Sequence, residues 1–159
     1  MPRGFTILVA DDSEDDFLLL QAAFRTADLP HTLIHVPDGN QAIMYLQGLS
    51  PFSDRHRFPF PNFLVLDLQM PHGNGFEVLT FLRGQPELQV PALMWSSSDL
   101  VQDIQTSMQL GAHHFCTKPA SLQGMVELAK TIHDRWLSDS RSSKPSAALS
   151  PSNSSATFE

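Results

Sequence analysis

Five short apolar runs that alternate with helix-like patterns constrain this chain more than any other feature of its sequence. The first run is uninterrupted and β-branched, which is typical of a strand buried on both faces of a sheet. Strands are predicted at 5–10, 32–36, 63–67, 92–95 and 113–117. Because each predicted strand is followed by a predicted helix, the order predicts a doubly wound, parallel α/β domain.

The segments between the strands carry apolar residues at helical spacing. Ser13 is a predicted N-cap of the first helix, and further helices are expected at about 39–46, at 76–83, after Asp99 and from Ser121. The fourth helix has an apolar stripe formed by Leu100, Ile104 and Met108. Residues 48–62 contain three prolines and a basic cluster, and this predicts a loop of unusual length.

Length and composition limit what such a domain can do. The chain has 159 residues and a net charge of −7, so it fits one domain that binds neither nucleic acid nor an anionic membrane surface. The start is not a signal peptide, and Cys116 is the single cysteine, which fits a cytoplasmic location. Nine of the last 22 residues are serine, so we expect a folded domain over 5–137 and a disordered Ser/Pro-rich tail over 138–159.

Polar residues follow four of the predicted strands. Asp11 and Asp12 follow the first strand, while Asp67, Ser96 and Lys118 stand at the ends of the third, fourth and fifth. Ligands bind at the carboxyl ends of strands in an open parallel sheet, so these residues are expected at one edge. Three crowded carboxylates favour a hard divalent cation, and one of them could attack an activated phosphoryl group. Singly, each feature also fits a turn or a solvated helix end; their coincidence predicts a phosphoryl-accepting site.

This combination resembles the receiver domain of two-component response regulators. The resemblance extends from residue 5 to about 137, and it implies a flavodoxin-like (βα)5 fold. The matching features are Asp11-Asp12, the segment 66–71 around Asp67 with Gly73 and Gly75, Ser96, and Lys118-Pro119.

The resemblance also implies a role for each of these residues. Asp67 would be the phosphoacceptor and would ligate Mg²⁺ together with Asp12 and the backbone carbonyl of Gln69. Asp11 would hold the metal through water, and Lys118 would bind the phosphoryl group.

The remaining implied roles concern the switch. Ser96 would be the switch hydroxyl that also contacts the phosphoryl group, and Phe115 would be the ring that turns inward on phosphorylation. The bond before Pro119 would be cis. Ser96 replaces the commoner threonine, and Trp95 is bulkier than the usual aliphatic residue, but neither change removes a residue needed for phosphorylation.

The long loop and the final helix narrow the resemblance to small stand-alone regulators that pair with bacterial and cyanobacterial phytochromes. These regulators are commonly homodimeric. The resemblance therefore implies a single-domain, cytoplasmic homodimer that receives a phosphoryl group from a histidine kinase of the phytochrome type and switches its binding to a downstream protein. Such a chain is a signalling protein rather than an enzyme, with only slow self-catalysed phosphotransfer and autodephosphorylation.

Three other functions fit the sequence less well. A phosphatase of the haloacid dehalogenase type also uses Mg²⁺ and an aspartate, but it needs a second acid two residues after the nucleophile, where this chain has Gln69. A nucleotide-binding module would need a phosphate loop, and Gly73 and Gly75 form only part of one. A DNA-binding regulator would need an output domain, which the last 22 residues cannot supply.

Overall fold

The predicted strands form one parallel sheet with the order β2-β1-β3-β4-β5. The computed structural model describes residues 4–138, so the predicted tail lies outside the described residues from 139 onward. The strands are β1 (Thr6–Ala10), β2 (Thr32–Val36), β3 (Phe63–Asp67), β4 (Ala92–Ser96) and β5 (His114–Thr117). The helices are α1 (Glu14–Thr26), α2 (Gly39–Gln47), α3 (Gly75–Arg83), α4 (Val101–Gln109) and α5 (Leu122–Ile132), and a π-helical turn (His133–Leu137) extends α5. This is the doubly wound (βα)5 fold that the sequence predicts.

Side-chain caps fix where most of the helices begin. The N-cap side chains of α1, α2, α3 and α5 each accept a hydrogen bond from a backbone N–H in the first turn; they are Ser13, Asp38, Asn74 and Ser121. Helix α4 differs, because its N-cap is Leu100, which makes no side-chain cap. The predicted cap at Asp99 is therefore wrong: the helix starts one residue too late for that carboxylate to occupy the capping position.

The sheet is buried on both faces by two separate cores. Helices α1 and α5 cover one face, and the side chains of Leu20, Phe24 and Met125 are buried there. Helices α2 and α3 cover the other face with side chains that include Leu46 and Val78. The apolar run 63–66 in β3 follows from this arrangement, since side chains on both faces of the strand are excluded from water.

The apolar stripe of α4 does not face the core. Leu100 is 56% exposed and Met108 is 45% exposed, while Ile104 is partly buried and the buried residue of the helix is Ser107. The Ser107 hydroxyl donates to the Asp103 carbonyl, which satisfies it inside the protein. Helix α4 therefore turns a small residue inward and leaves large apolar side chains on the surface.

The long loop between α2 and β3 is tied to α2 by side-chain hydrogen bonds. The Arg55 guanidinium donates to the carbonyl oxygens of Leu46 (3.1 Å) and Phe58 (3.0 Å). The Tyr45 hydroxyl donates to the Pro59 carbonyl at 2.8 Å, and burial raises the pKa of Tyr45 to about 12. These bonds satisfy carbonyl groups in the loop and at the C-terminal end of α2, so the loop is an ordered part of the fold.

The backbone departs from expectation at one proline. The Lys118–Pro119 bond is not cis; between residues 4 and 138 the cis peptide bond is Ser50–Pro51. The predicted cis bond at Pro119 is therefore wrong. The trans form of an X–Pro bond is favoured by about 0.5–1 kcal/mol, and the turn from β5 into α5 adopts that lower-energy isomer.

No helix in the described part of the chain combines the length and apolar character needed to cross a membrane.

Candidate functional site

Three carboxylates meet where the strand order reverses. Strands β1 and β3 are neighbours in the sheet, so Asp11 and Asp12 after β1 lie beside Asp67 at the end of β3. One oxygen from each of these side chains lies within 4.8 Å of the others. Asp11 and Asp67 are buried, whereas Asp12 is exposed at the rim. The convergence predicted from the strand ends is present in the structure.

Backbone groups of the adjoining turns orient the two buried acids. The Ser13 N–H donates to Asp11 Oδ1 at 2.8 Å, and the Gln69 N–H donates to Asp67 Oδ1 at 3.4 Å. The turn after β3 needs Gly75, because a Cβ there would lie 2.6 Å from the Asp67 carbonyl oxygen. Both acids are thus fixed by the local chain path, and the second oxygen of each faces Lys118.

Lys118 joins these acids from the end of β5. Its Nζ lies 3.0 Å from Asp11 Oδ2 and 3.4 Å from Asp67 Oδ2. A third carboxylate, Asp16 of α1, lies 2.9 Å from the same Nζ. The ammonium group is therefore shared among three acids that reach it from β1, β3 and α1.

The crowding changes the protonation of the site. Burial and the charge of Asp11 raise the pKa of Asp67 to about 7, against the opposing attraction of Lys118. Burial lowers the pKa of Lys118, but hydrogen bonds to Asp16 and Asp11 outweigh it, so the pKa of Lys118 is raised above its ordinary value. Lys118 is thus a permanent cation at neutral pH, while Asp67 is easily neutralised unless another cation is present.

The acids and Lys118 surround an open cavity of about 340 Å³. Its lining includes Gln69 and Ser96, two residues that the sequence analysis places at the site. Ser96 is buried, and its hydroxyl oxygen accepts a hydrogen bond from the Ser98 N–H at 3.1 Å. The other lining residues are Asp12, Ser13, Asp16, Asp67, Ser97 and Lys118. The cavity has room for a tetrahedral phosphoryl group and a hydrated ion beside the acids.

Two aromatic residues lie near the site without lining this cavity. Phe115 pairs with Met94 across β4 and β5 and is partly buried in the core on the α2–α3 face. Trp95 is fully buried on the opposite face, and its ring centroid lies 5.4 Å from Lys118 Nζ. The structure therefore places Phe115 next to the end of β4. Trp95 is close enough to Lys118 for its fluorescence to report on the site.

Asp16 is the site residue that the sequence analysis missed. Asp16 stands in the first turn of α1, where acids are common because they interact well with the helix dipole. A sequence-level signal exists, since residues in the first turn after a strand end lie beside the carboxyl edge of the sheet. Three successive acids occupy that turn, and their spacing alone does not identify the one that reaches Lys118.

The donor set suits a divalent cation. Carboxylate oxygens are hard ligands, and three of them within 4.8 Å repel each other unless a positive charge lies between them. Lys118 supplies one unit of that charge, from one side of the cluster. The carboxylate of Asp12 is exposed, so a cation can reach it from solvent. The raised pKa of Asp67 means that Lys118 does not fully offset the crowding of the acids, which favours binding of a further cation.

Comparison with known proteins agrees with this geometry. The chain is 30% identical to the response regulator Rcp1 of Synechocystis sp. over 132 residues, which are 82% of this chain and 88% of that protein. It is also similar to the crystal structure of the phosphorylated cyanobacterial phytochrome response regulator RcpA, with a TM-score of 0.77 and 30% identity over 86% of this chain and 96% of that one. The Mn²⁺-bound form of Rcp1 gives a TM-score of 0.73 and 29% identity, covering 85% and 96% of the two chains.

The family of the chain follows from how much of its sequence matches one family pattern. The sequence pattern of the response regulator receiver domain covers residues 7–130, which include the whole carboxylate–lysine cluster and all five strands except Thr6 of β1. The chain belongs to the response regulator receiver domain family.

Proposed function

We propose that the chain accepts a phosphoryl group on Asp67 from a sensor histidine kinase and thereby changes its affinity for a partner protein. The observation that carries this proposal is a buried carboxylate, Asp67, that faces both an acid pair and the Lys118 ammonium at an open cavity. The family assignment makes the chain a signalling protein and leaves the phosphatase alternative without support. Any hydrolysis of the phosphoryl group by the chain itself would be slow.

The chain itself supplies the nucleophile and two groups that bind the phosphoryl oxygens. A carboxylate oxygen of Asp67 attacks the phosphorus of a phosphohistidine, the P–N bond breaks, and its electron pair remains on the imidazole nitrogen. Asp67 becomes an aspartyl phosphate. Lys118 stabilises the negative charge on the transferred phosphoryl oxygens, and the Ser96 hydroxyl donates to one of them.

Mg²⁺ is the proposed cation, held by Asp12, Asp67 and the backbone carbonyl of Gln69. When bound, it would neutralise the acids and a phosphoryl oxygen together. Asp11 is proposed to act through a water molecule, which fits its two existing contacts: one oxygen accepts from the Ser13 N–H and the other faces Lys118. The Mn²⁺-bound form of Rcp1 supports a divalent cation at a site of this kind.

We expect Asp12→Ala to weaken Mg²⁺ binding more than Asp11→Ala, because a direct ligand contributes more than one that acts through water. The Asp12 change is expected to raise the dissociation constant about tenfold or more. Titration with Mg²⁺ can be followed by the fluorescence of Trp95, whose ring lies beside Lys118. Equal weakening by the two substitutions would contradict the division of roles.

The kinase is proposed to be of the phytochrome type, and the exchange to take place in the cytoplasm. Support comes from the similarity to Rcp1 and to RcpA, the latter described as a phytochrome response regulator. The test is phosphotransfer from an autophosphorylated phytochrome-type histidine kinase compared with an unrelated histidine kinase. Rapid transfer from the first and little from the second is expected; equal rates from both would refute the pairing.

We propose that the conformational change caused by phosphorylation passes from Ser96 to Phe115 and then to the surface formed by α4, β5 and α5. A phosphoryl group attracts the Ser96 hydroxyl, and the Phe115 ring can fill the space that this movement opens. We propose that this surface controls association into a homodimer. The exposed apolar side chains of Leu100, Val101 and Met108 on α4 support the proposal.

Ser96→Ala is expected to uncouple phosphorylation from self-association. Without the hydroxyl, nothing draws the end of β4 toward the phosphoryl group, so the response of Phe115 is lost. Sedimentation with and without a beryllofluoride phosphoryl mimic should show a large change in wild-type association and little or none in the variant. A full wild-type response in Ser96→Ala would exclude this route.

A further inference from the structure

The shortest ion pair of Lys118 is with a residue outside the proposed phosphoryl-transfer machinery. Asp16 Oδ2 lies 2.9 Å from Lys118 Nζ, compared with 3.0 Å for Asp11 Oδ2 and 3.4 Å for Asp67 Oδ2. Asp16 lines the same cavity, and its side chain is 34% exposed, whereas that of Asp67 is 6% exposed. The carboxylate of Asp16 is therefore a solvent-accessible partner of the lysine inside the cavity that a phosphodonor would enter.

We propose that Asp16 is a positioning residue that holds Lys118 in the unphosphorylated chain and competes with the incoming phosphoryl group for its ammonium. The inference rests on the proposed function, because it concerns the lysine that would bind the phosphoryl group. Asp16 thereby limits how fast Asp67 is phosphorylated and how tightly the site binds a phosphoryl mimic.

Two effects of the Asp16 charge act in the same direction. Lys118 has one ammonium group, and a phosphoryl oxygen gains its full attraction only when the hydrogen bond to Asp16 weakens. The carboxylate also repels an anionic donor directly, because it lines the cavity and is only partly exposed to the water that would screen its charge. Replacement of the charge by a neutral amide removes both effects while it keeps the shape of the side chain.

The neighbouring acid provides a matched control. Asp15 has the same charge in the same turn of α1, but it is exposed and points about 100° away around the helix axis. If the acids mattered only through the helix dipole or the net charge of the domain, Asp15→Asn and Asp16→Asn would have similar effects. If Asp16 acts through Lys118, only Asp16→Asn changes the rate of phosphorylation and the affinity for a phosphoryl mimic.

The experiment measures phosphorylation by acetyl phosphate with Mg²⁺, and the affinity for beryllofluoride by Trp95 fluorescence. Asp16→Asn is expected to raise the labelling rate by about three- to tenfold, since a half-exposed ion pair contributes on the order of a tenfold effect at most. It is expected to tighten beryllofluoride binding by a similar factor. Asp15→Asn is expected to leave both quantities within about twofold of wild type.

A second substitution tests the pathway through the lysine. In a Lys118→Ala background, Asp16→Asn has no ammonium to release, so its effect on beryllofluoride affinity is expected to shrink to the part that direct repulsion contributes. Asp16→Ala serves as a second variant if Asp16→Asn melts at a lower temperature than wild type. Retention of the full effect without Lys118 would mean that Asp16 acts only by repulsion.

The outcomes distinguish this inference from the proposed function. If wild type takes up no phosphoryl group, the proposed function fails. If wild type is labelled and Asp16→Asn is labelled no faster, or more slowly, the proposed function stands and the competition for Lys118 is refuted. An equal increase in Asp15→Asn would also refute it, because the effect would then be one of general charge.

Discussion

Asp67→Asn is expected to abolish phosphorylation by acetyl phosphate, lowering the rate by on the order of a thousandfold or more. The physical reason is that an amide oxygen is a poor nucleophile at neutral pH, and no other carboxylate has the same position between the acid pair and Lys118. The measurement is a time course of intact-protein mass with Mg²⁺. Wild type should gain one phosphoryl group, and the variant should gain none.

The control for this prediction is Asp15→Asn, which removes a charge from an exposed position in α1. It should be labelled at close to the wild-type rate. Labelling of Asp67→Asn as fast as wild type would mean that the acceptor is another residue, and that the buried carboxylate serves only to hold the metal and the lysine.

Asp67→Asn is also expected to stabilise the metal-free protein at high pH. Burial and Asp11 raise the pKa of Asp67 from 3.8 to about 7, so between these values the folded state binds more protons than the unfolded state. Stability from this group therefore falls as the pH rises from about 4 to 7, and the loss is complete above 7. Asp67→Asn removes that loss.

The expected gain at pH 8 is about 1–2 kcal/mol, or a melting temperature about 3–6 °C higher, with little difference near pH 4.5. Thermal unfolding in the presence of a chelator at both pH values makes the comparison. Added Mg²⁺ should stabilise wild type at pH 8 more than the variant, because wild type retains all three acids. If Asp67→Asn raised the melting temperature equally at the two pH values, or lowered it at pH 8, that result would contradict the charge crowding described for the site.

The fold was predictable because the central strands β1, β3 and β4 are buried on both faces. A run such as 63–67 is typical of a central strand, and its end fixes where Asp67 lies. Once five strands are parallel, topology alone brings Asp11, Asp12 and Lys118 to the same edge. The candidate site followed from strand ends, without knowledge of any side-chain conformation.

The features that escaped prediction depend on tertiary contacts. Helical spacing identifies Leu100 and Met108 as one face of α4 but does not say whether another element covers it, and here Ser107 is buried instead. Acids in the first turn of α1 have the same sequence signature whether they face solvent or Lys118, so Asp16 went unrecognised. The isomer of the Lys118–Pro119 bond likewise depends on the turn that β5 and α5 form.

Chemical mapping of the acceptor tests the central claim most directly. An aspartyl phosphate is an acyl phosphate, and borohydride reduces it to homoserine, which tandem mass spectrometry locates in the sequence. After treatment of the wild-type chain with acetyl phosphate and Mg²⁺, we predict homoserine at position 67 and unchanged aspartate at 11, 12 and 16. Homoserine at any of those three positions, with Asp67 unmodified, would contradict the account.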